Sequence, residues 1–211
     1  MFDLDGTLLA GDSTVAWLRM LFLSSWLRCT VAALTLPVSL PLVWFRVTRR
    51  FGASILLWIA TLGYDQSALE GSIEAFVKRF ERGEDSLRWR NDGLKAMERH
   101  LAAGDRVLVV TAAPVWLAER LVGSRSRVLG STLTRHWGGW IAGYHCFGRE
   151  KCRILEQNGY GTAWEYAYTD SYDDAPLLAA GKQGFIVNAR SGVVAKLTAR
   201  GHSRISQLRW T

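Results

Sequence analysis

Two acidic side chains stand two residues apart near the start of the sequence. Asp3 and Asp5 follow a short apolar stretch and precede Gly6 and Thr7. If that stretch is a strand, the pair lies at its carboxyl end, where open α/β sheets bind their ligands. One carboxylate there can attack phosphorus and form an aspartyl-phosphate. The other can protonate the leaving oxygen and later deprotonate water. Taken alone, such a pair is weak evidence because aspartates also cap surface turns.

Two later segments carry groups that could bind a phosphate. Thr111 follows the β-branched run at residues 107–110. Its hydroxyl and the N–H of Ala112, close to a helix N-terminus, can hold phosphate oxygens. Lys151 can neutralise the phosphate and the Asp3 carboxylate together. Singly these would more often be a helix cap and a surface lysine.

A further acidic segment supplies oxygen ligands for a cation. It contains Asp170, Asp173 and Asp174 directly after a strand of mixed aromatic and small residues. Mg²⁺ prefers hard oxygen ligands, few of them from protein. Asp170, Asp3 and the backbone carbonyl of Asp5 would supply that set. Asp174 would orient water or hold Lys151, and Asp173 would support the segment.

The elements around these residues alternate between strands and helices, which is typical of a parallel α/β sheet. The pattern predicts strands over residues 107–110, 128–133, 165–169, 184–188 and 193–197, and helices over residues 114–121 and 151–157. A hairpin turn is predicted over residues 137–140. The acidic and hydroxyl residues then share one edge of the sheet.

An insertion between the first two strands carries two uncharged runs, residues 29–45 and 51–64. Arg46, Arg49 and Arg50 lie between the runs, and Pro37 and Pro41 interrupt the first. A straight transmembrane helix needs about 20 apolar residues, and each run is shorter. A re-entrant or interfacial hairpin with the arginines at anionic headgroups fits the lengths better. A single span over residues 18–42 and a helical cap with packed apolar faces are the alternatives.

Composition and charge narrow the class of protein. Hydrophobic residues make up 49% of the 211-residue chain, which indicates a packed core and argues against disorder. A net charge of +7 favours acidic partners such as phosphorylated substrates or anionic lipid, although ordinary solubility would also explain it. Ten tryptophans suggest extensive apolar burial or contact with a membrane interface. The scattered cysteines Cys29, Cys146 and Cys152 fit a reducing compartment.

The beginning of the sequence resembles neither a signal peptide nor a full central strand. No basic n-region or small-residue cleavage site follows Met1, so we expect the catalytic part to stay on the cytoplasmic side. A central strand usually has about five or six residues, and fewer are present before Asp3. We therefore expect the natural chain to begin upstream of Met1.

In this order the four segments resemble the motifs of the haloacid dehalogenase-like phosphatases. The matching segments are residues 2–8, Thr111, Lys151 and residues 170–174. The resemblance implies a Rossmannoid parallel sheet formed by residues 1–10 and 102–211, with a helical type 1 cap over residues 11–101. It also implies that Asp3 is the nucleophile, Asp5 the acid/base that marks the phosphatase branch, and Asp170 a Mg²⁺ ligand. Ala112 and Ala113 stand where the family often has Gly-Ser, so the phosphate site would depend on backbone donors.

A closer resemblance is to the phosphatidylglycerophosphatase C family of bacteria. It is carried by the apolar, proline-containing insertion and by residues 56–58, 138–140, 146–151 and 170–178. It implies hydrolysis of phosphatidylglycerophosphate to phosphatidylglycerol at the bacterial inner membrane, with the catalytic domain facing the cytoplasm. The partners would be the phospholipid and a membrane surface or bilayer contacted through residues 29–64. Nothing in the sequence indicates a nucleic-acid-binding module.

Two other functions compete with the lipid phosphatase. A soluble small-molecule phosphatase resembling phosphoserine phosphatase would have motifs in the same layout. A membrane-bound scaffold with a relict fold would not need all four motifs, and all four are present. The apolar run at residues 29–45 favours the lipid substrate, because an enzyme for a small polar substrate has little use for it.

Overall fold

The structure is a computed structural model that describes residues 1–44, 48–189, 192–199 and 204–211. Its helices are α1 (Ser13–Leu23), α2 (Trp26–Trp44), α3 (Arg49–Thr61), α4 (Gln66–Glu81), α5 (Asn91–Ala102), α6 (Val115–Val122), α7 (Arg149–Gln157), α8 (Ala175–Ala180) and α9 (Val193–Ala199). Its strands are β1 (Leu108–Pro114), β2 (Arg127–Ser131), β3 (Leu133–His136), β4 (Gly139–Ala142), β5 (Trp164–Thr169), β6 (Gly181–Val187) and β7 (Ile205–Leu208).

Residues 1–3 lie at the centre of a parallel sheet, between β1 and β5. Phe2 bridges Val109 on one side and Tyr168 on the other, both in the parallel sense. The N–H of Phe2 donates to the carbonyl of Leu108 at 2.8 Å, and that of Asp3 donates to the carbonyl of Tyr168 at 2.9 Å. With the parallel pairs β1–β2, β5–β6 and β6–β7, the order is β2, β1, residues 1–3, β5, β6, β7. The predicted parallel α/β sheet is confirmed.

The sheet order brings the chemically interesting residues to one edge. Parallel strands present their carboxyl ends on the same side, which is where ligands bind in open α/β sheets. Asp3 ends the first segment, Thr111 lies in β1, and Asp170 follows β5. β1 is longer than predicted, and its register with β2 shifts between Val110 and Pro114. Thr111 therefore sits where β1 leaves regular pairing.

The strand predicted over residues 193–197 is wrong, because this segment is the helix α9. A short apolar run does not distinguish a strand from a buried helix segment. Topology decides the matter here. β6 and β7 are parallel neighbours, and parallel strands need a crossover connection, usually a helix. α9 lies in that crossover, and its Leu197 is fully buried.

The segment between the first strand and β1 is helical, from α1 to α5. Along α4 an apolar stripe faces inward, with Leu69, Ile73, Phe76 and Phe80 buried. α2 and α3 pack against each other, and α3 also packs against the β3–β4 hairpin. Trp58 Nε1 donates to the carbonyl of His136 at 2.9 Å, and the N–H of Trp140 donates to Thr61 Oγ1 at 2.9 Å. The hairpin is thus tied to the helical insertion.

The two uncharged runs form helices α2 and α3. α2 continues through Pro37 and Pro41. Within the described ranges, no helix combines the length and apolar character needed to cross a bilayer. Of the arginines predicted to face headgroups, Arg46 lies outside the described residues, as do the side chains of Arg49 and Arg50.

Large apolar side chains are exposed on these helices and on the hairpin. Trp26 is 80% exposed, Leu34 75%, Trp44 82% and Trp137 84%. Isolated exposed apolar residues are ordinary on protein surfaces. A concentration of large ones on one pair of helices marks a candidate interaction surface.

Candidate active site

The turn after the first strand aims its acidic side chains at the sheet edge. Gly6 adopts φ +74°, a conformation that residues with a Cβ rarely take. Its N–H donates to the carbonyl of Gly11 at 3.0 Å, which closes the turn. The N–H of Leu4 donates to Asp3 Oδ1 at 2.8 Å. The sequence therefore folds so that Asp3 stays at the strand end while the chain reverses beside it.

A buried chain of charged and polar groups joins Asp3 to the segment after β5. Lys151 Nζ lies 2.8 Å from Asp3 Oδ1 and 2.6 Å from Asp174 Oδ2. Thr169 Oγ1 donates to the same Asp174 oxygen at 2.8 Å. Lys151 is 2% exposed, Asp3 6% and Asp174 1%. Buried charges are tolerated when paired and hydrogen-bonded, and this pairing fixes the Lys151 ammonium next to Asp3.

The charges of Asp3, Lys151 and Asp174 favour the binding of a further cation at this site. Burial works against a charged Lys151, but the carboxylates of Asp3 and Asp174 outweigh it and raise the pKa of the lysine. Burial raises the pKa of Asp3 to about 7 even though Lys151 opposes the shift, and the charges of Asp174 and Asp170 add to it. The two carboxylates of Asp3 and Asp174 thus share one cation among the described residues, the ammonium of Lys151. A divalent cation would lower the pKa of Asp3.

Asp5 faces the first helix of the insertion rather than Lys151. The N–H of Ser13, the first residue of α1, donates to Asp5 Oδ1 at 2.7 Å. Burial raises the pKa of Asp5 to about 8, and the charge of Asp12 adds to the shift, whereas the N–H and the hydroxyl of Ser13 oppose it. A carboxyl with a pKa near neutrality can hold a proton and release it, as an acid/base must.

Asp170 packs against the first turn. The N–H of Asp170 donates to Thr7 Oγ1 at 2.9 Å. A Cβ built on Gly6 would lie 2.2 Å from Asp170 Oδ2, so only glycine leaves room for this carboxylate. Asp173 lies on the short 3-10 helix after β5, where its N–H donates to Ser171 Oγ at 3.1 Å. It belongs to the loop that carries Asp170.

The oxygen donors around Asp3 fit a Mg²⁺ ion. Hard oxygen ligands are present in Asp3, Asp170 and the Asp5 carbonyl, and the Gly6 cradle leaves space for Asp170. Asp174 Oδ1 is buried and has no hydrogen-bond partner among the described residues. No cluster of at least three His, Cys, Asp or Glu side chains suited to a metal occurs in the described part of the chain. A Mg²⁺ here would therefore depend on two carboxylates, a carbonyl and water, which is a set that this cation accepts.

Thr111 is fully buried next to the turn that leads from β1 into α6. Its Oγ1 accepts the N–H of Ala113 at 3.1 Å, which leaves the hydroxyl proton for another acceptor. Ser131 Oγ donates to the carbonyl of Ala112 at 2.6 Å and accepts the N–H of Cys146 at 3.0 Å. The peptide after Thr111 is thereby held in one orientation.

The sequence did not single out several residues that complete the site. Thr169 binds Asp174, Ser131 orients Ala112, and the N–H of Ser13 binds Asp5. Thr169 and Ser131 are polar residues at the ends of apolar strands, a signal that could have been used. The role of Ser13 lies in its main chain, and a main-chain donor leaves no trace in residue type.

Comparisons with known proteins agree with this geometry. The haloacid dehalogenase-like hydrolase family matches residues 1–179. A protein of Mycobacterium tuberculosis described as a probable phosphatase is 31% identical over 115 residues, which are 48% of this chain and 38% of that protein. This chain thus spans well under half the length of that relative.

Solved structures show the same fold. A protein of unknown function from Bordetella pertussis superposes with a TM-score of 0.72 at 24% identity, over 97% of this chain and 95% of that one. A phosphoserine phosphatase, solved as a phospho-aspartyl intermediate analogue, superposes with a TM-score of 0.57 at 16% identity, over 97% of this chain and 90% of that one. Because the sequence identities are only 24% and 16%, these two similarities show a shared fold alone.

The family match takes in the first turn, β1, α7 and the segment after β5, which together carry the charged chain and the candidate cation ligands. This protein therefore belongs to the haloacid dehalogenase-like hydrolase family.

Proposed function

We propose that this protein is a Mg²⁺-dependent phosphohydrolase that uses Asp3 as its nucleophile. The observation that carries the proposal is the buried chain from Asp3 through Lys151 to Asp174 at the ligand-binding edge of the sheet. A lysine held there can neutralise both a phosphate and the attacking carboxylate. The family membership supports hydrolysis, and the phosphatase described among its relatives supports a phosphate ester.

The nucleophilic oxygen is assigned from the contacts of Asp3. Lys151 and the N–H of Leu4 both bind Oδ1. Among the described residues, no hydrogen bond or ion pair is formed by Oδ2, which therefore remains to attack phosphorus. The Asp3 Oδ2–phosphorus bond forms as the ester P–O bond breaks, and the proton of Asp5 passes to the departing oxygen. Asp5 then takes a proton from water, whose oxygen attacks phosphorus and releases inorganic phosphate with Asp3 restored.

Other residues of the chain orient the phosphate and balance its charge. The Thr111 hydroxyl and the N–H of Ala112 would hold phosphate oxygens, while Lys151 lies beside Asp3. Asp3, Asp170 and the Asp5 carbonyl would hold Mg²⁺, which supplies charge neutralisation to the phosphate and its transition state. Asp174 fixes Lys151, and Asp173 belongs to the loop that presents Asp170.

The nucleophile is tested by Asp3→Asn, with Asp85→Asn, in the bend that follows α4, as the control. Release of inorganic phosphate from a panel of esters is measured with and without Mg²⁺. Asp3→Asn removes the nucleophile and is expected to lose at least about 10³-fold in kcat with its fold unchanged by circular dichroism. Turnover by Asp3→Asn at the rate of Asp85→Asn would contradict the covalent mechanism.

For the substrate, we propose a lipid phosphomonoester, with phosphatidylglycerophosphate as the first choice and phosphatidylglycerol as the product. The resemblance to phosphatidylglycerophosphatase C supports this choice. So do the large apolar side chains exposed on α2, including Trp26, Leu34 and Trp44. A lipid phosphate lies at the membrane surface, and an apolar surface with tryptophans suits that interface. The location would be the bacterial inner membrane, with residues 29–64 at the bilayer and the catalytic domain in the cytoplasm.

The lipid proposal is tested with polar substitutions on α2. Trp26→Ser together with Leu34→Ser should lower phosphate release from phosphatidylglycerophosphate in vesicles at least about tenfold. Hydrolysis of a short soluble ester should change less than about twofold. Leu101→Ser, a partly exposed leucine on α5, is the matched control and should change neither. An equal loss on both substrates would argue against a membrane-docking role for α2.

The alternative is a soluble small-molecule phosphatase resembling phosphoserine phosphatase. The structural likeness to a phosphoserine phosphatase supports it about as well. A substrate panel separates the two: phosphatidylglycerophosphate, phosphatidic acid, lysophosphatidic acid and phosphoserine are compared at equal concentration with Mg²⁺. A preference for phosphoserine would favour the alternative and leave the catalytic residues as proposed.

A further inference from the structure

The carboxylate of Asp5 is held by the main chain of the helical insertion. The N–H of Ser13 donates to Asp5 Oδ1 at 2.7 Å. Ser13 is the first residue of α1 and is fully buried. Its hydroxyl has no hydrogen-bond partner among the residues that the structure describes. The hydrogen bond to Asp5 thus comes from the backbone of Ser13, and the hydroxyl lies close enough to the same carboxylate to lower its pKa as well.

The chain returns to Asp5 through a closed turn. The Gly6 N–H donates to the carbonyl of Gly11 at 3.0 Å, and the Ala10 N–H donates to the carbonyl of Arg88 at 2.7 Å. Asp12 then caps α1, because its Oδ1 accepts the N–H of Val15 at 2.9 Å. Two of the N–H groups that a helix leaves unpaired at its start therefore bind two carboxylates, Asp12 and Asp5.

This geometry divides the two oxygens of Asp5 between two tasks. Oδ1 is occupied by Ser13, and no described residue forms a hydrogen bond with Oδ2. A general acid must lie within hydrogen-bond reach of the oxygen that it protonates. We propose that the Ser13 N–H is a positioning group that turns Asp5 Oδ2 toward the leaving oxygen, so that the start of α1 sets the geometry of proton transfer. The inference rests on the proposed function, because it concerns the acid/base of that reaction.

Ser13→Pro removes the donor and puts the proline Cδ where the N–H was, so Asp5 Oδ1 loses its hydrogen bond and must move away from the start of α1. Proline is tolerated at the first residue of a helix, where its fixed φ suits the backbone. The residue before a proline must be extended, and Asp12 already is, at φ −113° and ψ 116°. The substitution therefore deletes the N–H that binds Asp5 and leaves the Asp12 cap in place.

The readout is kcat/KM for two esters that differ in leaving group. An alkyl phosphate such as glycerol 3-phosphate needs a proton on its departing oxygen, whereas p-nitrophenolate leaves without one. Because kcat/KM reports the steps up to departure of the leaving group, later hydrolysis of the aspartyl-phosphate does not mask the difference. Ser13→Pro is expected to lower kcat/KM about 10- to 100-fold for the alkyl ester and less than about threefold for p-nitrophenyl phosphate.

Two variants isolate the N–H from other effects of the substitution. Ser13→Ala keeps the N–H and deletes the hydroxyl, so its ratio of alkyl to aryl rates should stay close to that of the wild type and far above that of Ser13→Pro. Gln66→Pro places proline at the first residue of α4, again after an extended aspartate, Asp65. Its ratio should also be unchanged. Equal losses on both esters in Ser13→Pro, or no loss, would overturn the proposal.

A second measurement does not depend on the proline variant folding or on catalysis. The amide proton of Ser13 should resonate downfield in the wild type because it binds a carboxylate. In Asp5→Ala it should move upfield by more than the other amides of α1. An unmoved Ser13 resonance would overturn the inference even if the enzyme is a phosphatase. Full activity of Asp3→Asn would instead defeat the proposed function and leave the Ser13 contact untouched.

Discussion

Adding one methyl group at Gly6, by the substitution Gly6→Ala, should affect activity far more than stability. Its φ of +74° is unfavourable for any residue with a Cβ, and an alanine Cβ would lie 2.2 Å from Asp170 Oδ2. Rotating the carboxylate does not relieve the overlap, because the Cβ would also lie 2.5 Å from Asp170 Cγ and 2.8 Å from Oδ1. A carbon–oxygen contact needs about 3.3 Å, so the Asp170 carboxylate must retreat by roughly 1 Å.

The expected effect of Gly6→Ala is small on stability and large on activity. The left-handed backbone costs about 1–2 kcal/mol, which is roughly 2–8 °C in Tm for a chain of this size. The retreat of a side chain from an open edge adds little to that. A displacement of about 1 Å in a catalytic group can cost about 10²-fold in rate. If Asp170 is a Mg²⁺ ligand, the Mg²⁺ concentration for half-maximal activity should rise as well.

Gly104→Ala is the matched control. Gly104 has φ +80°, and a Cβ there would meet nothing within 4 Å. Both variants therefore carry the same backbone cost, and only Gly6→Ala disturbs Asp170. Phosphate release is measured across a Mg²⁺ titration, with Tm recorded for each variant. If Gly6→Ala matched Gly104→Ala in rate and in Mg²⁺ dependence, the assignment of Asp170 to the reacting centre would be refuted.

Three further predictions concern ionisable side chains and their burial. Lys151→Met should abolish phosphate release and lower the free energy of unfolding by about 3–5 kcal/mol, measured by urea titration, because two buried carboxylates lose their cation. In metal-free protein, Tm should fall as pH rises from about 5 to 8. The folded pKa values of about 7 for Asp3 and about 8 for Asp5 lie above the unfolded value of 3.8. The stability that the two protonated carboxyls contribute is therefore complete below pH 3.8 and is lost as they ionise in the folded protein. Asp5→Asn should flatten that slope, and a constant Tm in both proteins would contradict it. Iodoacetamide at pH 8 should alkylate the exposed Cys29 but not Cys146, whose pKa burial raises to about 12, as checked by mass spectrometry.

Residue type and spacing predicted the parts of the site that are made by side chains at strand ends. Asp3 and Asp174 meet because the strands that precede them share a carboxyl edge, and that follows from the alternation of strands and helices. Lys151 reaches both carboxylates from the first turn of α7. The same alternation predicted the parallel sheet, which the pairing of Phe2 with Val109 and Tyr168 confirms. These are features in which local sequence and global fold agree.

The remaining features depend on information that is not local. The run at residues 193–197 was predicted as a strand because short apolar segments suit either state, and only the parallel pairing of β6 with β7 requires a helix there. The contact of Asp5 with Ser13 arises from a main-chain donor at a helix start, which any residue type except proline would provide. The attachment of the β3–β4 hairpin to α3 depends on contacts between segments distant in the chain, such as Trp58 with His136.

The covalent role of Asp3 can be demonstrated by trapping the aspartyl-phosphate that forms on it. The enzyme is mixed with substrate and Mg²⁺, quenched in acid within milliseconds and reduced with borohydride, which converts an aspartyl-phosphate to homoserine. Peptide mass spectrometry then locates the modified residue. We expect homoserine at position 3 in the wild type and none in a sample quenched without substrate. Homoserine at another aspartate, or none during active turnover, would contradict the mechanism.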